Sequence, residues 1–373
     1  MAIFDVPLDV LQQRTSMKWT RFPADVLPMW VAEMDCLPAP GVKHALEHIT
    51  EIGDFGYPGY DSLPRAFVPY ASEVWGLELE QQQVMPCSDV VNGMSVLVDA
   101  LVPAGGSVVI ASPVYPPFRV SGATRGRQVV EVPLTDAGRL DLDALEAAFS
   151  RPEVAVFLLC NPQNPHGTLP TLDELTRLAA IARQHGVRVI SDEIHAPLVS
   201  PRATFVPYLS VPGTDDAYAV LSASKAFNLA ALKAGLLVAG TAIVDEMWAM
   251  PYEVRSGASH LGLLLQAAGL EHDRAWLAQL NREIVEHKQL LAELLPGVGL
   301  TYEPSEATYL GWIDMTSTGM ENPAAEILER GRLALNSGAD YGPTHQTWVR
   351  MNLATSPELI REGVRRIGVA LGA

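Results

Sequence analysis

Between residues 107 and 239 the chain repeats one pattern, and few folds accept it. A short apolar run (107–111, SVVIA) is followed by polar turns, a second run (128–132, QVVEV), a helical segment (141–149) and a third run (154–159, VAVFLL). Next comes a helix opened at Thr171-Leu172-Asp173-Glu174, where threonine and glutamate are spaced to cap it reciprocally, and closed near Gly186. Further runs follow at 187–190 (VRVI), 217–221 (AYAVL) and 236–239 (LLVA). A strand with one wet face alternates apolar and polar residues. Most of these runs are apolar nearly throughout, so both of their faces must be covered. Strands joined through helices and covered on both sides form a mainly parallel sheet sandwiched by helices, an α/β fold.

The flanks read differently. Residues 1–39 carry several prolines and little periodicity, as expected of an arm lying on other parts of the protein. Helices are expected at 40–52, at 61–75, and from an N-cap at Ser88 or Asp89 to Leu101. After Pro251 one long amphipathic helix is expected at 272–294, stopped by Pro296-Gly297. Strands are expected at 309–313 and 348–353. Asn322-Pro323 and Ser356-Pro357 each open a helix with a capping residue and a first-turn proline. The chain of 373 residues therefore divides into a large domain, 40–265, and a smaller α/β domain, 266–373, joined by the arm 1–39.

Composition excludes several classes of function. A net charge of −17 opposes a polyanion, and no basic cluster overrides it, so nucleic acid is not expected as a partner. No uncharged apolar run reaches membrane-spanning length, and the first residues lack the basic and apolar regions of a secretion signal. Cys36, Cys87 and Cys160 cannot all pair with one another, which suits buried thiols in a cytoplasmic chain. His44 and His48 have helical i, i+4 spacing. Ala45 stands where a zinc helix of that kind carries glutamate, so they read as a solvated face, with no metal expected.

Chemistry gathers at the strand ends. The run 217–221 closes in Ser222-Ala223-Ser224-Lys225, with Lys233 eight residues further on. Open α/β sheets bind ligands outside the carboxyl ends of their strands. A lysine there can form a Schiff base with an aldehyde if burial keeps part of it unprotonated. Ser222 and Lys233 suit a phosphate, one as a hydroxyl and one as a point charge. The plain alternative is a surface loop with two solvated lysines. Against it stand Ser191-Asp192-Glu193-Ile194-His195 and Asn161-Pro162-Gln163-Asn164-Pro165-His166-Gly167, each directly after an apolar run or closing one.

These stretches, in this order, resemble the fold-type-I pyridoxal-phosphate enzymes, the aspartate aminotransferase superfamily. The chain is most similar to the cystathionine β-lyase (C–S lyase) branch typified by MalY and PatB. The resemblance runs from about Arg14 to the C-terminus. It also rests on Lys18-Trp19-Thr20-Arg21-Phe22-Pro23, Leu27-Pro28-Met29-Trp30-Val31-Ala32-Glu33-Met34-Asp35, Phe55-Gly56-Tyr57, Pro113-Val114-Tyr115-Pro116-Pro117-Phe118, Glu306-Ala307-Thr308-Tyr309-Leu310-Gly311-Trp312 and Arg350-Met351-Asn352.

The resemblance implies the fold-type-I transferase fold, a pyridoxal 5′-phosphate cofactor and a small amino-acid substrate. It implies that Lys225 binds the cofactor aldehyde and later serves as the base at the substrate Cα. Asp192 would pair with the ring nitrogen, Tyr115 stack on the ring, and Asn164 donate to its phenolic oxygen. His195 stands where many aminotransferases place a tyrosine. The phosphate would lie among Ser222, Lys233 and the N–H groups at Val90 and Val91. Many relatives have glycine where this chain has Asp89, and a carboxylate facing a phosphate is unfavourable, so Asp89 is expected to cap the helix or turn away. Arg350 would clamp the substrate carboxylate. Tyr57 would reach the phosphate of a neighbouring subunit, which makes a homodimer with shared sites. Gln163 and His166 depart from the family's usual residues. The branch points to β-cleavage of L-cystathionine or related cysteine S-conjugates to a thiol, pyruvate and ammonia. An aminotransferase shares the same early steps and stays open on these residues, as does a protein of this fold whose main work is regulatory binding.

Overall fold

A computed structural model describes residues 2–372. The principal strands of the large sheet are β1 (Val84–Cys87), β2 (Ser107–Ser112), β3 (Gln128–Pro133), β4 (Val154–Cys160), β5 (Arg188–Asp192), β6 (Tyr218–Leu221) and β7 (Gly235–Ala239). Their order across the sheet is β1-β7-β6-β5-β4-β2-β3. Pairing is parallel throughout the run from β6 to β3, and β7 is antiparallel to both of its neighbours. The expected mainly parallel sheet is present, with one reversed strand. All residues of β2 and of β6 are buried, as their apolar runs require.

The apolar runs do not reveal β1. Its sequence, Val84-Met85-Pro86-Cys87, holds a proline, which cannot donate to a ladder. The strand tolerates it because β1 lies at the sheet edge and pairs with β7 alone.

The longer helices include α1 (Pro40–Ile52), α2 (Ser62–Trp75), α3 (Val90–Leu101), α4 (Leu142–Phe149), α5 (Leu172–His185), α6 (His260–His272), α7 (Arg274–Leu294), α8 (Pro323–Gly331) and α9 (Pro357–Leu371). Thr171 and Glu174 form the reciprocal cap of α5, and Gly186 ends it in the left-handed region at φ +67°. Asn322 and Ser356 cap α8 and α9 by accepting the N–H groups of Ala325 and Leu359.

The long helix expected at 272–294 is in fact preceded by a second helix. Helices α6 and α7 meet at Asp273, which leaves the helical region at ψ +24°. Most of α6 is buried, with Leu263, Leu265, Ala267, Ala268 and Leu270 among its covered residues. A helix that is apolar all round has no amphipathic stripe to betray it.

The large core cluster includes residues from α1, α2, α6 and α7 as far as Ile284, whereas Leu291 and Leu295 join the cluster of the small domain. Residue 265 thus falls inside α6, and the division between cores lies along α7. The small domain carries a three-stranded antiparallel sheet: β8 (Leu310–Asp314), β9 (Asn336–Ser337) and β10 (Trp348–Asn352), in the order β9-β10-β8. The arm is fastened to it, with Leu27–Pro28 pairing in parallel with Leu333–Ala334.

His44 and His48 are both exposed on α1, and among the described residues no group of side chains is arranged to hold a metal. Among the described residues no helix is long and apolar enough to cross a membrane.

Asp273 ties these layers together. Its Oδ1 accepts the N–H of Gly41 at 2.8 Å and its Oδ2 that of Val42 at 3.0 Å, so it caps α1 from the α6–α7 junction. Asp273→Ala leaves these donors of a buried helix start without acceptors and should cost about 1–3 kcal/mol, read as a lowered urea midpoint.

Candidate active site

The strands that run parallel end on one side of the sheet, and the predicted residues follow those ends. Asp192 is the last residue of β5. Tyr115 and Asn164 come a few residues after β2 and β4, and the Tyr115 N–H donates to the Asn164 carbonyl at 3.1 Å. Ser222 to Lys225 follow β6, and Asp89 to Val91 follow β1. β10 supplies Arg350 from the small domain.

Lys225 is half-buried, and its Nζ donates to the Ala32 carbonyl at 2.8 Å. Burial, reinforced by the Arg350 charge, lowers its pKa to about 8. An amine so placed holds a much larger neutral fraction at neutral pH than a solvated lysine, as the sequence reading required. Asp192 is buried. Its Oδ1 accepts the Ile194 N–H at 3.1 Å. Burial pushes its pKa up to about 7, against the lowering effect of that N–H and of Lys225. A buried carboxyl in this state favours a cationic donor brought to it, such as a protonated ring nitrogen.

Arg350 is held on several sides. Its Nη1 donates to Asn164 Oδ1 at 3.0 Å, and its Nη2 to the Trp30 carbonyl at 3.2 Å and to Asn336 Oδ1 at 2.9 Å. Its guanidinium carbon lies 5.2 Å from the centre of the Tyr341 ring. Its Nε is buried without a partner. The Asn164 oxygen is therefore used on Arg350, which leaves the amide N–H groups to donate elsewhere. His195 is buried with Nδ1 unpartnered. Burial, then the charges of Lys225 and Arg350, lower its pKa to about 3, so it stays neutral. Tyr115 is half-buried, and burial raises its hydroxyl pKa.

The three elements expected around a phosphate stand as follows. Asp89 caps α3, its Oδ1 accepting the Asn92 N–H at 2.8 Å, as expected for a residue not acting as a ligand. Its Oδ2 also pairs with Lys233 Nζ at 3.3 Å. Gly235 makes room for this approach, since a Cβ there would lie 3.1 Å from the Leu221 carbonyl and 3.3 Å from the Asp89 backbone. The Ser222 hydroxyl is turned inward, within 2.8 Å of the Ala234 carbonyl and 3.1 Å of Gln266 Oε1. Val90 and Val91 open α3. Tyr57 is fully exposed.

Several contributors carry no side-chain signature. The carbonyls of Trp30 and Ala32 are two of them, and the Tyr309 hydroxyl also donates to Ala32 at 3.1 Å. Asn352 holds this strand of arm in place, its Nδ2 donating to the carbonyls of Val31 and Glu33 at 2.7 and 2.6 Å. The motif around Trp30 signalled that the arm matters, but not that its backbone does the work. The two departures from the family pattern are structural in part. Gln163 Nε2 donates to the Pro113 carbonyl at 2.6 Å, and its Oε1 accepts the His166 N–H at 2.8 Å, bracing the loop that presents Asn164. His166 packs against Trp312 and His345.

These residues fit pyridoxal phosphate. A lysine of lowered pKa, a buried carboxyl with no cation hydrogen-bonded to it, an aromatic face and buried orphan nitrogens on Arg350 and His195 meet at one set of strand ends.

Comparison with known proteins agrees. The family model for aminotransferase class I and II matches residues 31–367, and the chain belongs to that family. A Mycobacterium leprae protein assigned as a cystathionine β-lyase is 40% identical, over 98% of this chain and 96% of that protein. The cystathionine β-lyase of Corynebacterium glutamicum is 32% identical, over 98% of this chain and 99% of its own. A crystal structure from Corynebacterium diphtheriae, described as a PLP-dependent β-cystathionase, superposes with a TM-score of 0.95 at 30% identity and covers all of both chains.

The arm reaches the site because a buried ion pair seats it. Lys18 Nζ lies 2.7 Å from Asp35 Oδ2, with side chains 1% and 3% exposed. Asp35→Ala strands the Lys18 charge and should cost about 3–5 kcal/mol. Hydrogen exchange should then rise at residues 30–36, whereas the double variant Lys18→Met/Asp35→Leu should regain most of the stability.

Proposed function

We propose that this chain is a pyridoxal-phosphate-dependent carbon–sulfur β-lyase. Its substrates are L-cystathionine or related cysteine S-conjugates, and its products are a thiol, pyruvate and ammonia. The observation that carries the reading is the meeting of Lys225, Asp192 and Arg350 at one crevice, in a chain whose relatives at 32–40% identity bear cystathionine β-lyase names.

Asp192 would hold the ring nitrogen, Tyr115 the ring face and Asn164 the phenolic oxygen, with His195 alongside. Ser222, Lys233 and the N–H groups of Val90 and Val91 would hold the phosphate. When bound, the cofactor supplies an electron sink for negative charge developing at the substrate Cα.

The chain's own residues do the rest. The Arg350 fork grips the substrate carboxylate in two places, which a lysine cannot do. Its other bonds, to Trp30, Asn164 and Asn336, keep the fork from turning. Lys225, with its lowered pKa, takes the proton from Cα. Its position against the Ala32 carbonyl keeps the amine on one side of the crevice. A thiolate on Cβ is the leaving group.

The same reading makes the protein a cytoplasmic homodimer. Tyr57, on a segment that also exposes Ile52 and Phe55, would cross to the partner's phosphate.

The deciding experiment supplies L-cystathionine and no keto acid. We expect sustained release of pyruvate and thiol. A single equivalent of turnover that resumes only on adding 2-oxoglutarate or pyruvate would replace this reading with an aminotransferase. Arg350→Lys should keep bound cofactor and lose activity by orders of magnitude, since truncating a buried hydrogen-bonded charge costs ~2–5 kcal/mol. Borohydride should trap the cofactor on Lys225 and on no other lysine.

A further inference from the structure

One phosphate donor of the site, Lys233, is already paired, and a carboxylate sits at the head of the helix that supplies the others. α3 is a helix of 12 residues whose first N–H groups have no intrahelical acceptor, and Lys233 is the one side-chain cation assigned to the phosphate. Asp89 engages both. Its Oδ1 accepts the Asn92 N–H at 2.8 Å and its Oδ2 lies 3.3 Å from Lys233 Nζ. Its extended backbone, φ −169° and ψ 169°, sets the carboxylate at the helix end.

The third donor, the Ser222 hydroxyl, has Ala234, Gln266 and Ser224 oxygens within 3.1 Å and is buried. An arriving phosphate therefore meets a neutral carboxylate–ammonium pair where a bare cation would otherwise stand. A carboxylate already fills the role of anion at the head of the helix.

We propose that Asp89 is an internal competitor for the cofactor phosphate and sets how tightly this chain retains pyridoxal phosphate. The proposal rests on the pyridoxal-phosphate reading above. The competition has two parts with the same sign. Asp89 must yield some of Lys233, and its charge repels a group carrying about −1.5 to −2. Removing one like charge at this partly exposed position should tighten phosphate binding on the order of tenfold, and less at high salt. The competition is specific to the phosphate, so it leaves the ring and the lysine contacts alone. A readily exchanged cofactor would make the loaded fraction of the protein depend on the supply of free cofactor.

The test compares pyridoxal phosphate with pyridoxal, which lacks the phosphate, in equilibrium titrations of the full-length chain. Asp89→Asn removes the charge and keeps a good helix cap. Asp89→Ser does the same with a different side chain. We expect both variants to bind pyridoxal phosphate roughly tenfold more tightly than the parent while pyridoxal affinity stays the same. Unchanged or weaker binding of pyridoxal phosphate in both variants overturns the proposal. So does an equal gain for pyridoxal, which would mean that Asp89 acts on the ring site and not on the phosphate. If the parent chain itself binds no pyridoxal phosphate, the cofactor reading fails first, and that outcome is distinct from the others.

Discussion

Two basic side chains, the half-buried Lys225 and the buried Arg350, share one crevice, and the Arg350 charge favours the neutral form of Lys225. Each raises the other's electrostatic energy, and Asp192 is the buried carboxyl close enough to Lys225 to act on it. Backbone carbonyls make the arrangement tolerable. Ala32 accepts from Lys225 and Trp30 from Arg350, so a segment far off in sequence supplies the acceptors that water would supply outside. The geometry of the site consequently depends on how firmly the arm is seated. The Lys18–Asp35 pair, the Asn352 amide and the Asn228 side chain, whose Oδ1 accepts the Met34 N–H at 2.8 Å, all serve that seating.

The sheet provides the other half of the constraint. β1, β2, β4, β5 and β6 all finish at the same edge, so residues from five separate parts of the chain arrive within reach of one small molecule. The reversed strand β7 does not interrupt this. It returns the chain after Lys233 so that this lysine comes back to the head of α3, where Asp89 meets it. The small domain then closes over the edge with Arg350. Its position opposite Trp312 in the β8–β10 pair puts the guanidinium on the face turned toward the large domain. The residues proposed for substrate grip and proton transfer thus come from different domains, with α7 contributing to both cores.

Much of this was legible beforehand, for reasons that can be named. A doubly covered strand must be apolar along its whole length, so β2, β4, β5 and β6 announced themselves and their carboxyl ends marked the crevice. Lysine and aspartate at such ends are costly to bury and therefore informative, which is why Lys225 and Asp192 stood out. The edge strand β1 was hidden by its proline, and α6 by having no polar face. In the sequence Asp89 reads as a cap or as a side chain turned away from the phosphate. It is a cap, but its bond to Lys233 joins residues far apart in sequence and has no local signature.

Local rules carried the reading as far as local physics extends. Helix caps, apolar runs and the residue types at strand ends depend on neighbours a few positions away, and those are written along the chain. The carbonyl partners of Lys225 and Arg350, the inward turn of Ser222 and the shared core along α7 depend on which distant segments touch. Any residue can offer a carbonyl, and a hydroxyl can turn either way, so nothing in their identity announces the contact. Packing chose those partners, and the same packing lowers the pKa of Lys225, because burial beside Arg350 exists only once the two domains have met.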